Sequence, residues 1–213
     1  MMEPTTSLRP GDDAPDITLP SATDDGTISL AAYRGEGPVL LALFRGLYCP
    51  FCRRQVVSLG LTAEKLRGAG VELVGVVGTA ANRARRYFSY RRPRYPVAAD
   101  PDLASHRAFG LPHTAFTPEI FQIANAKIDG VAREAGLKVP AGGGWQALDR
   151  EDGIQPNEFA LDIERHQAQL TGQFLIDRQG VIRWSNIETE RDGMDGIDRF
   201  PSDAELLAAL RAL

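Results

Sequence analysis

Residues 39–55 constrain the fold of this chain more than any other stretch. Residues 39–44 form an unbroken apolar run, which is typical of a strand buried on both faces. After a short turn, the residues from 49 onward show the apolar spacing of a helix. Cys49 and Cys52, the two cysteines of the chain, lie at this junction. The stretch therefore predicts a strand that leads into a helix whose first turn carries both sulfurs.

The position of the two cysteines favours redox chemistry. A helix puts side chains three residues apart on one face, so the sulfurs are close enough to exchange a disulfide. Unpaired N–H groups of the first turn and the helix dipole favour a thiolate there. Pro50 fits this turn because its missing donor costs nothing. Arg53 and Arg54 oppose the helix dipole, so we interpret them as support for a thiolate.

Two other interpretations of the cysteine pair are a pair of inert buried thiols and half of a zinc site. Zinc needs two further ligands. The histidines, His106, His113 and His166, are not paired at ligand spacing. We therefore expect no metal and no cofactor.

The rest of the chain reads as an α/β protein. Residues 71–77 form a second apolar strand, so residues 39–77 predict a right-handed βαβ unit with parallel strands. Turn and capping signals predict further elements. They are a hairpin at Asp25-Gly26, a helix over 79–90 capped by Thr79, a strand over 95–99, a helix from Asp100 to Gly110 with Asp100 as its cap, a hairpin of strands 174–176 and 181–187, and a last helix with Ser202 and Glu205 as a capping box.

Residues 112–170 interrupt this pattern. Residues 117–119 begin one helix, but the prolines and glycines that follow break its period. We interpret residues 142–144 as a flexible linker and the whole segment as an insertion with one helix and a long loop. Such an insertion would serve as a lid or as an oligomer contact, for example in a homodimer.

Size and charge exclude several classes of protein. The 213 residues predict one domain over 1–213, and a formal net charge of -4 argues against nucleic-acid or anionic-membrane binding. The N-terminal residues lack a leader pattern, and no apolar run approaches the roughly 18 residues of a membrane span. A cytoplasmic location is the simplest expectation.

Four segments in order resemble the alkyl hydroperoxide reductase/thiol-specific antioxidant (AhpC/TSA, peroxiredoxin-like) branch of the thioredoxin fold. They are residues 11–20, 29–35, 99–110 and 174–180, and the resemblance covers 8–110 and 170–187. It implies a thioredoxin-like fold with a central mixed β-sheet flanked by helices. It also implies reduction of peroxides at the cysteine pair, with electrons from an external thioredoxin-like or glutathione-like thiol.

The resemblance leaves two assignments of the cysteines open. The spacing from Phe44 to Cys52 is that of thioredoxins, which makes Cys49 the attacking thiol and Cys52 the resolving one. In the peroxiredoxin pattern Pro-x-x-x-Thr-x-x-Cys, Cys52 is instead the attacking thiol and Arg45 stands at the proline. Thr171 stands about where peroxiredoxins carry an arginine, and Gly172 about where thioredoxins carry a cis-proline.

The leading hypothesis is a thiol peroxidase with Cys49 and Cys52 as catalytic residues. Arg45 and Arg53 are candidate substrate-binding residues, since either can replace the missing arginine, although a surface salt bridge is the ordinary role of such a side chain. Two alternatives are a thioredoxin-like protein-disulfide reductase and a non-catalytic thioredoxin-fold module that binds a partner through residues 112–170.

Overall fold

A five-stranded mixed sheet carries the fold in the computed structural model, which describes residues 7–114, 117–166 and 169–213. The strands are β1 (Thr18–Pro20), β2 (Thr27–Ser29), β3 (Val39–Phe44), β4 (Glu72–Val77), β5 (Val97–Ala99), β6 (Gly172–Ile176) and β7 (Ile182–Ile187). The sheet has the order β5-β4-β3-β6-β7, while β1 and β2 form a separate antiparallel pair. Strand β3 is central, parallel to β4 and antiparallel to β6.

Seven α-helices surround the sheet within the described part of the chain. They are α1 (Pro50–Gly68), α2 (Ala81–Phe88), α3 (Ala104–Ala108), α4 (Pro118–Glu134), α5 (Gly144–Glu151), α6 (Ala160–His166) and α7 (Asp203–Ala209). Short 3-10 turns cover Leu30–Tyr33, Gly193–Gly196 and Leu210–Ala212. None of these helices is both long and apolar enough to span a bilayer.

The central strand explains why residues 39–44 are apolar without interruption. All six are buried, because β3 has a hydrophobic cluster on each face of the sheet. Leu40 and Phe44 point into the cluster with α1, and Leu41 and Leu43 into the opposite one. The predicted βαβ unit and the mixed thioredoxin-like sheet are confirmed.

Both predicted hairpins and the last capping box are also confirmed. Pro20 pairs with Thr27 around the Asp25-Gly26 turn, and β6 pairs with β7. Ser202 Oγ accepts from the Glu205 backbone N–H, and the Glu205 carboxylate accepts from the Ser202 N–H, so both donors are satisfied.

Two predicted helix caps are wrong in position. Helix α3 begins at Ala104, because residues 100–103 form a turn first; the Asp100 carboxylate caps it from upstream by accepting from the Ser105 N–H at 2.8 Å. Helix α2 has no side-chain cap, since the Thr79 hydroxyl accepts instead from the Leu47 N–H at 3.0 Å.

The prediction of one helix and a long loop in residues 112–170 is wrong, because α4, α5 and α6 all lie there. Residues 142–144 are not a flexible linker. The buried Asp129 carboxylate accepts from the Gly142 and Gly144 N–H groups at 2.7 and 2.8 Å. A Cβ on Gly144 would lie 2.7 Å from Ile128, so this glycine permits the close approach of α5 to α4.

Candidate active site

The strand β3 and the helix α1 place Cys49 at the helix N-cap. Its backbone is extended, with φ -88° and ψ 113°, and Pro50 is the first helical residue. The Cys49 sulfur accepts from the Cys52 backbone N–H at an N···S distance of 3.5 Å. The sulfur therefore lies at the positive end of the helix dipole, which favours the thiolate, as the spacing predicts.

The two sulfurs have different surroundings. Cys49 is 1% exposed and Cys52 is 0% exposed. Cys49 lines a cavity of about 470 Å³, whereas Cys52 is not among the residues that line it. A small molecule in this cavity would meet Cys49.

Arg45 is the cation beside Cys49. Its Nη1 lies 3.6 Å from the Cys49 sulfur, and its side chain lines the same cavity. The Nε atom donates to the Gln169 carbonyl at 2.5 Å, and Nη2 donates to both carboxylate oxygens of Glu188 at 2.5 Å. The guanidinium is thus buried and held on three sides.

Glu188 is a site residue that the sequence does not reveal. It is buried directly after β7 and also accepts from the Thr171 N–H at 2.8 Å and the Asp198 N–H at 2.6 Å. It lies 143 residues from Arg45 along the chain. A single acidic residue after a strand of mixed polarity is a weak signal, and the pairing of β7 with β6 brings Glu188 to the site.

The acidities of the two thiols diverge. Burial acts to raise the pKa of Cys49, but hydrogen bonds from the Cys52 thiol and N–H and the positive charge of Arg45 outweigh it and lower this pKa to about 6. Burial and the neighbouring Cys49 sulfur raise the pKa of Cys52 well above its ordinary value. Cys49 is therefore the thiolate of the pair near neutral pH.

Arg53 is not among the residues that line the cavity, although it binds Asp149, which is. Arg53 donates to the Asp152 carboxylate at 2.6 Å, to Asp149 at 2.7 Å and to the Leu47 carbonyl at 2.9 Å. Its side chain is 1% exposed, so this is not the expected surface salt bridge. Arg54 binds Glu151 at 2.8 Å. Arg45, and neither Arg53 nor Arg54, is the cation with a hydrogen bond to Cys49. Support of the thiolate by the charges of Arg53 and Arg54 stays a prediction.

The helices of residues 112–170 wall the cavity opposite Cys49. The lining beyond the cysteine loop comes from α4 (Phe121, Ala124, Asn125), α5 (Trp145, Gln146, Asp149), α6 (Ile163), and also Gly142 and Ile197; Tyr48 and Phe51 line it beside Cys49. The Trp145 indole N–H donates to Asn125 at 2.6 Å, and the Tyr48 hydroxyl donates to the His166 carbonyl. The insertion therefore covers the reactive sulfur.

His106 and His166 each place a ring nitrogen within hydrogen-bonding distance of a backbone carbonyl. His106 is buried with Nε2 3.1 Å from the Phe44 carbonyl oxygen, and burial lowers its pKa to about 4. His166 Nε2 lies 2.8 Å from the Pro101 carbonyl oxygen. Across residues 7–114, 117–166 and 169–213, no three His, Cys, Asp or Glu residues are grouped as metal ligands.

The sheet and the Cys-x-x-Cys at the end of its central strand define a thioredoxin-fold protein. Residues 10–185 match the model of the AhpC/TSA family. The chain belongs to this family and is a thiol-dependent oxidoreductase.

Individual relatives agree with this assignment. MT2597 of Mycobacterium tuberculosis (strain CDC 1551 / Oshkosh), which carries the name of a peroxiredoxin, is 31% identical over 109 residues, or 51% of this chain and 68% of that protein. The chloroplastic peroxiredoxin Q of Triticum aestivum is 26% identical, over 48% of this chain and 46% of that protein.

Solved structures share the fold at low identity. The peroxidoxin BcpB from Mycobacterium tuberculosis has a TM-score of 0.59 at 17% identity, with 97% of this chain and 98% of that chain covered. A Chlorobium tepidum structure titled as the thiol:disulfide interchange protein DsbE has a TM-score of 0.51 at 19% identity, with 96% and 99% covered.

Proposed function

We propose that this protein reduces peroxides, with Cys49 as the attacking thiol and Cys52 as the resolving thiol. One observation carries the assignment: Cys49 is the sulfur that faces the cavity and contacts Arg45, while Cys52 lies outside the cavity lining. The assignment follows the thioredoxin register of the motif rather than the peroxiredoxin register.

The reaction begins with the Cys49 thiolate. It attacks one peroxide oxygen, the O–O bond breaks, and the other oxygen leaves with a proton as water or an alcohol. Arg45 Nη1 is positioned to donate to the leaving oxygen as negative charge develops on it. Arg45 thus takes the substrate-binding role, and Arg53 instead holds α5 against the cysteine loop.

The second step uses Cys52. Its raised pKa keeps it protonated while Cys49 attacks. It then condenses with the Cys49 sulfenic acid, which releases water and forms the Cys49–Cys52 disulfide. An external thiol reduces this bond and completes the cycle. A cytoplasmic location, where such thiols are abundant, is part of the proposal.

Thiol–disulfide exchange is the second candidate function. It is favoured by the Phe-x-x-x-x-Cys-x-x-Cys spacing from Phe44 to Cys52, which is that of thioredoxins. The same Cys49 thiolate would then attack a substrate disulfide, and Cys52 would release the mixed disulfide.

The test uses Cys49→Ser and Cys52→Ser variants treated with hydrogen peroxide and a sulfenic-acid trap. We expect mass spectrometry to find the trap on Cys49 of the Cys52→Ser variant and no trap on the Cys49→Ser variant. Trapping at Cys52 would reverse the two roles. If stopped-flow mixing shows that the wild-type thiols react with peroxide no faster than free cysteine, the peroxidase is excluded and the disulfide reductase stands.

A further inference from the structure

We propose that the thiol that reduces the Cys49–Cys52 disulfide is a small monothiol of peptide size, and not a thiol protein. The proposal rests on the proposed function, because it identifies the second substrate of the same site. It follows from where the sulfurs lie, what encloses them and which polar groups lead to them.

Access to the two sulfurs is restricted in the structure, in which both cysteines are free thiols. Thiol–disulfide exchange requires the attacking sulfur to touch one sulfur of the bond, in line with it. Both cysteines are buried to 1% exposure or less. The cavity of about 470 Å³ reaches Cys49, so the attacking sulfur must enter this cavity. A cysteine held on the surface of a folded protein would need the walls of the cavity to move away.

These walls are bonded to the body of the protein. Arg83 of α2 donates to the buried Asp162 of α6 at 2.5 Å, and the Tyr48 hydroxyl of the cysteine loop donates to the His166 carbonyl at the end of α6. Arg53 of α1 binds the carboxylates of Asp149 in α5 and of Asp152, which directly follows this helix. Opening the site wide enough for a protein partner would break charged hydrogen bonds to both helices.

The space that remains suits a small molecule. A volume of about 470 Å³ lies within the usual range for small-ligand sites. A second cavity of about 650 Å³ shares Tyr48, Gln146, Asp149 and Ile163 with the first. The two cavities are therefore neighbours, and in this proposal the part of the ligand beyond its sulfur lies in the second cavity, along α5 and α6.

The second cavity offers hydrogen-bonding and charged groups. Its charged and amide lining residues are Gln146, Asp149, Arg150, Gln155, Asn157, Glu158 and Glu164. Amide side chains match peptide N–H and C=O groups, Arg150 matches a carboxylate, and the carboxylate of Glu164 matches an ammonium group, since Asp149 already binds Arg53. A short peptide-like thiol has all of these groups, with its sulfur directed to Cys49.

The exchange balances with two molecules of monothiol. The first thiolate attacks the Cys49 sulfur, the Cys49–Cys52 bond breaks, and Cys52 leaves with the electron pair and takes up a proton. The second attacks the sulfur of the monothiol bound to Cys49, the bond between these two sulfurs breaks, Cys49 leaves with the electron pair as its thiolate, and the small disulfide is released. In total the two monothiol molecules supply two electrons, and both cysteines are reduced.

The test starts from protein oxidised with diamide, so its outcome does not depend on any reaction with peroxide. Glutathione and thioredoxin are compared as reductants at equal thiol concentration, and the recovered Cys49 and Cys52 thiols are alkylated and counted by mass spectrometry. We expect glutathione to restore both thiols faster than thioredoxin, with a rate that saturates. Faster reduction by thioredoxin, or no reduction by glutathione, would overturn the proposal.

A variant that narrows the cavity adds a second test. Ala124 lines the cavity, so Ala124→Phe places a ring in the path of the thiol. We expect reduction by glutathione to slow by at least about tenfold, because the sulfur is displaced from Cys49. Ala126→Phe is the matched control, since Ala126 is exposed on the same helix. Equal glutathione rates in the two variants would contradict entry through this cavity.

Discussion

At the scale of single residues, Arg45 is the charged group that favours the Cys49 thiolate. The pKa of Cys49 is about 6, and a thiol ionises as the pH rises through its pKa, so alkylation of Cys49 by iodoacetamide should increase around pH 6 and level off near neutral pH. In Arg45→Lys, the single ammonium group cannot bind Glu188, Gln169 and Cys49 with the geometry of the guanidinium. We expect the alkylation midpoint to move upward by roughly one pH unit or more.

The measurement follows the Cys49 peptide by mass spectrometry across the pH range. Arg54→Lys is the control, because Arg54 binds Glu151 rather than the sulfur. Equal midpoints in the two variants would show that the guanidinium geometry of Arg45 is not what lowers the pKa of Cys49, because Arg45→Lys keeps the positive charge.

Glu188 carries the charge that balances Arg45 inside the protein. Its side chain is 0% exposed, so Glu188→Ala leaves the Arg45 guanidinium buried without a carboxylate. We expect the free energy of unfolding to fall by roughly 3–5 kcal/mol, since loss of one partner of a buried pair leaves an uncompensated charge. Urea denaturation followed by tryptophan fluorescence measures this loss.

Glu190→Ala is the matched comparison for this variant. Glu190 binds Arg9 with both side chains exposed, and such substitutions usually change stability by no more than about 0.5 kcal/mol. Similar losses at Glu188 and Glu190 would argue against a buried ion pair.

At the scale of elements, Arg53 joins α5 to α1 and to the cysteine loop. Arg53→Met removes the charged hydrogen bonds to Asp149 of α5 and to Asp152 directly after it, so we expect a loss of about 1–3 kcal/mol in the free energy of unfolding. Amide hydrogen exchange in residues 144–151 should accelerate, while the alkylation midpoint of Cys49 should stay near that of the wild type, because Arg53 does not contact the sulfur. Hydrogen exchange read by mass spectrometry checks the first result.

Arg67→Met controls for the loss of an arginine on the same helix, since Arg67 binds Glu72 at the surface. Unchanged protection of α5 in Arg53→Met would show that this helix is held by its packing on α4 alone. A Cys49 midpoint that moved as far as in Arg45→Lys would place Arg53 in the electrostatics of the thiolate after all.

On the scale of the whole molecule, residues 112–170 are the part that sequence patterns describe least well. Glycines and prolines there suggest a loop, yet Asp129 caps α5 through Gly142 and Gly144. Short helices such as α5 and α6 depend on contacts with distant residues rather than on their own periodicity. That this insertion forms the wall of a cavity can therefore be recognised only from the tertiary structure, in which residues of α4, α5 and α6 line the same cavity as Cys49. Its oligomer contact and the single-domain organisation stay predictions.

The sequence by itself determined the βαβ unit, the two hairpins and the position of Cys49 at a helix N-terminus. These features depend on short-range rules: apolar runs, turn residues and the spacing of Cys49 and Cys52. Only the tertiary structure decided which sulfur faces the cavity and which arginine reaches it. The contact between Arg45 and Glu188 joins residues that are 143 positions apart. Burial and electrostatics act through space rather than along the sequence.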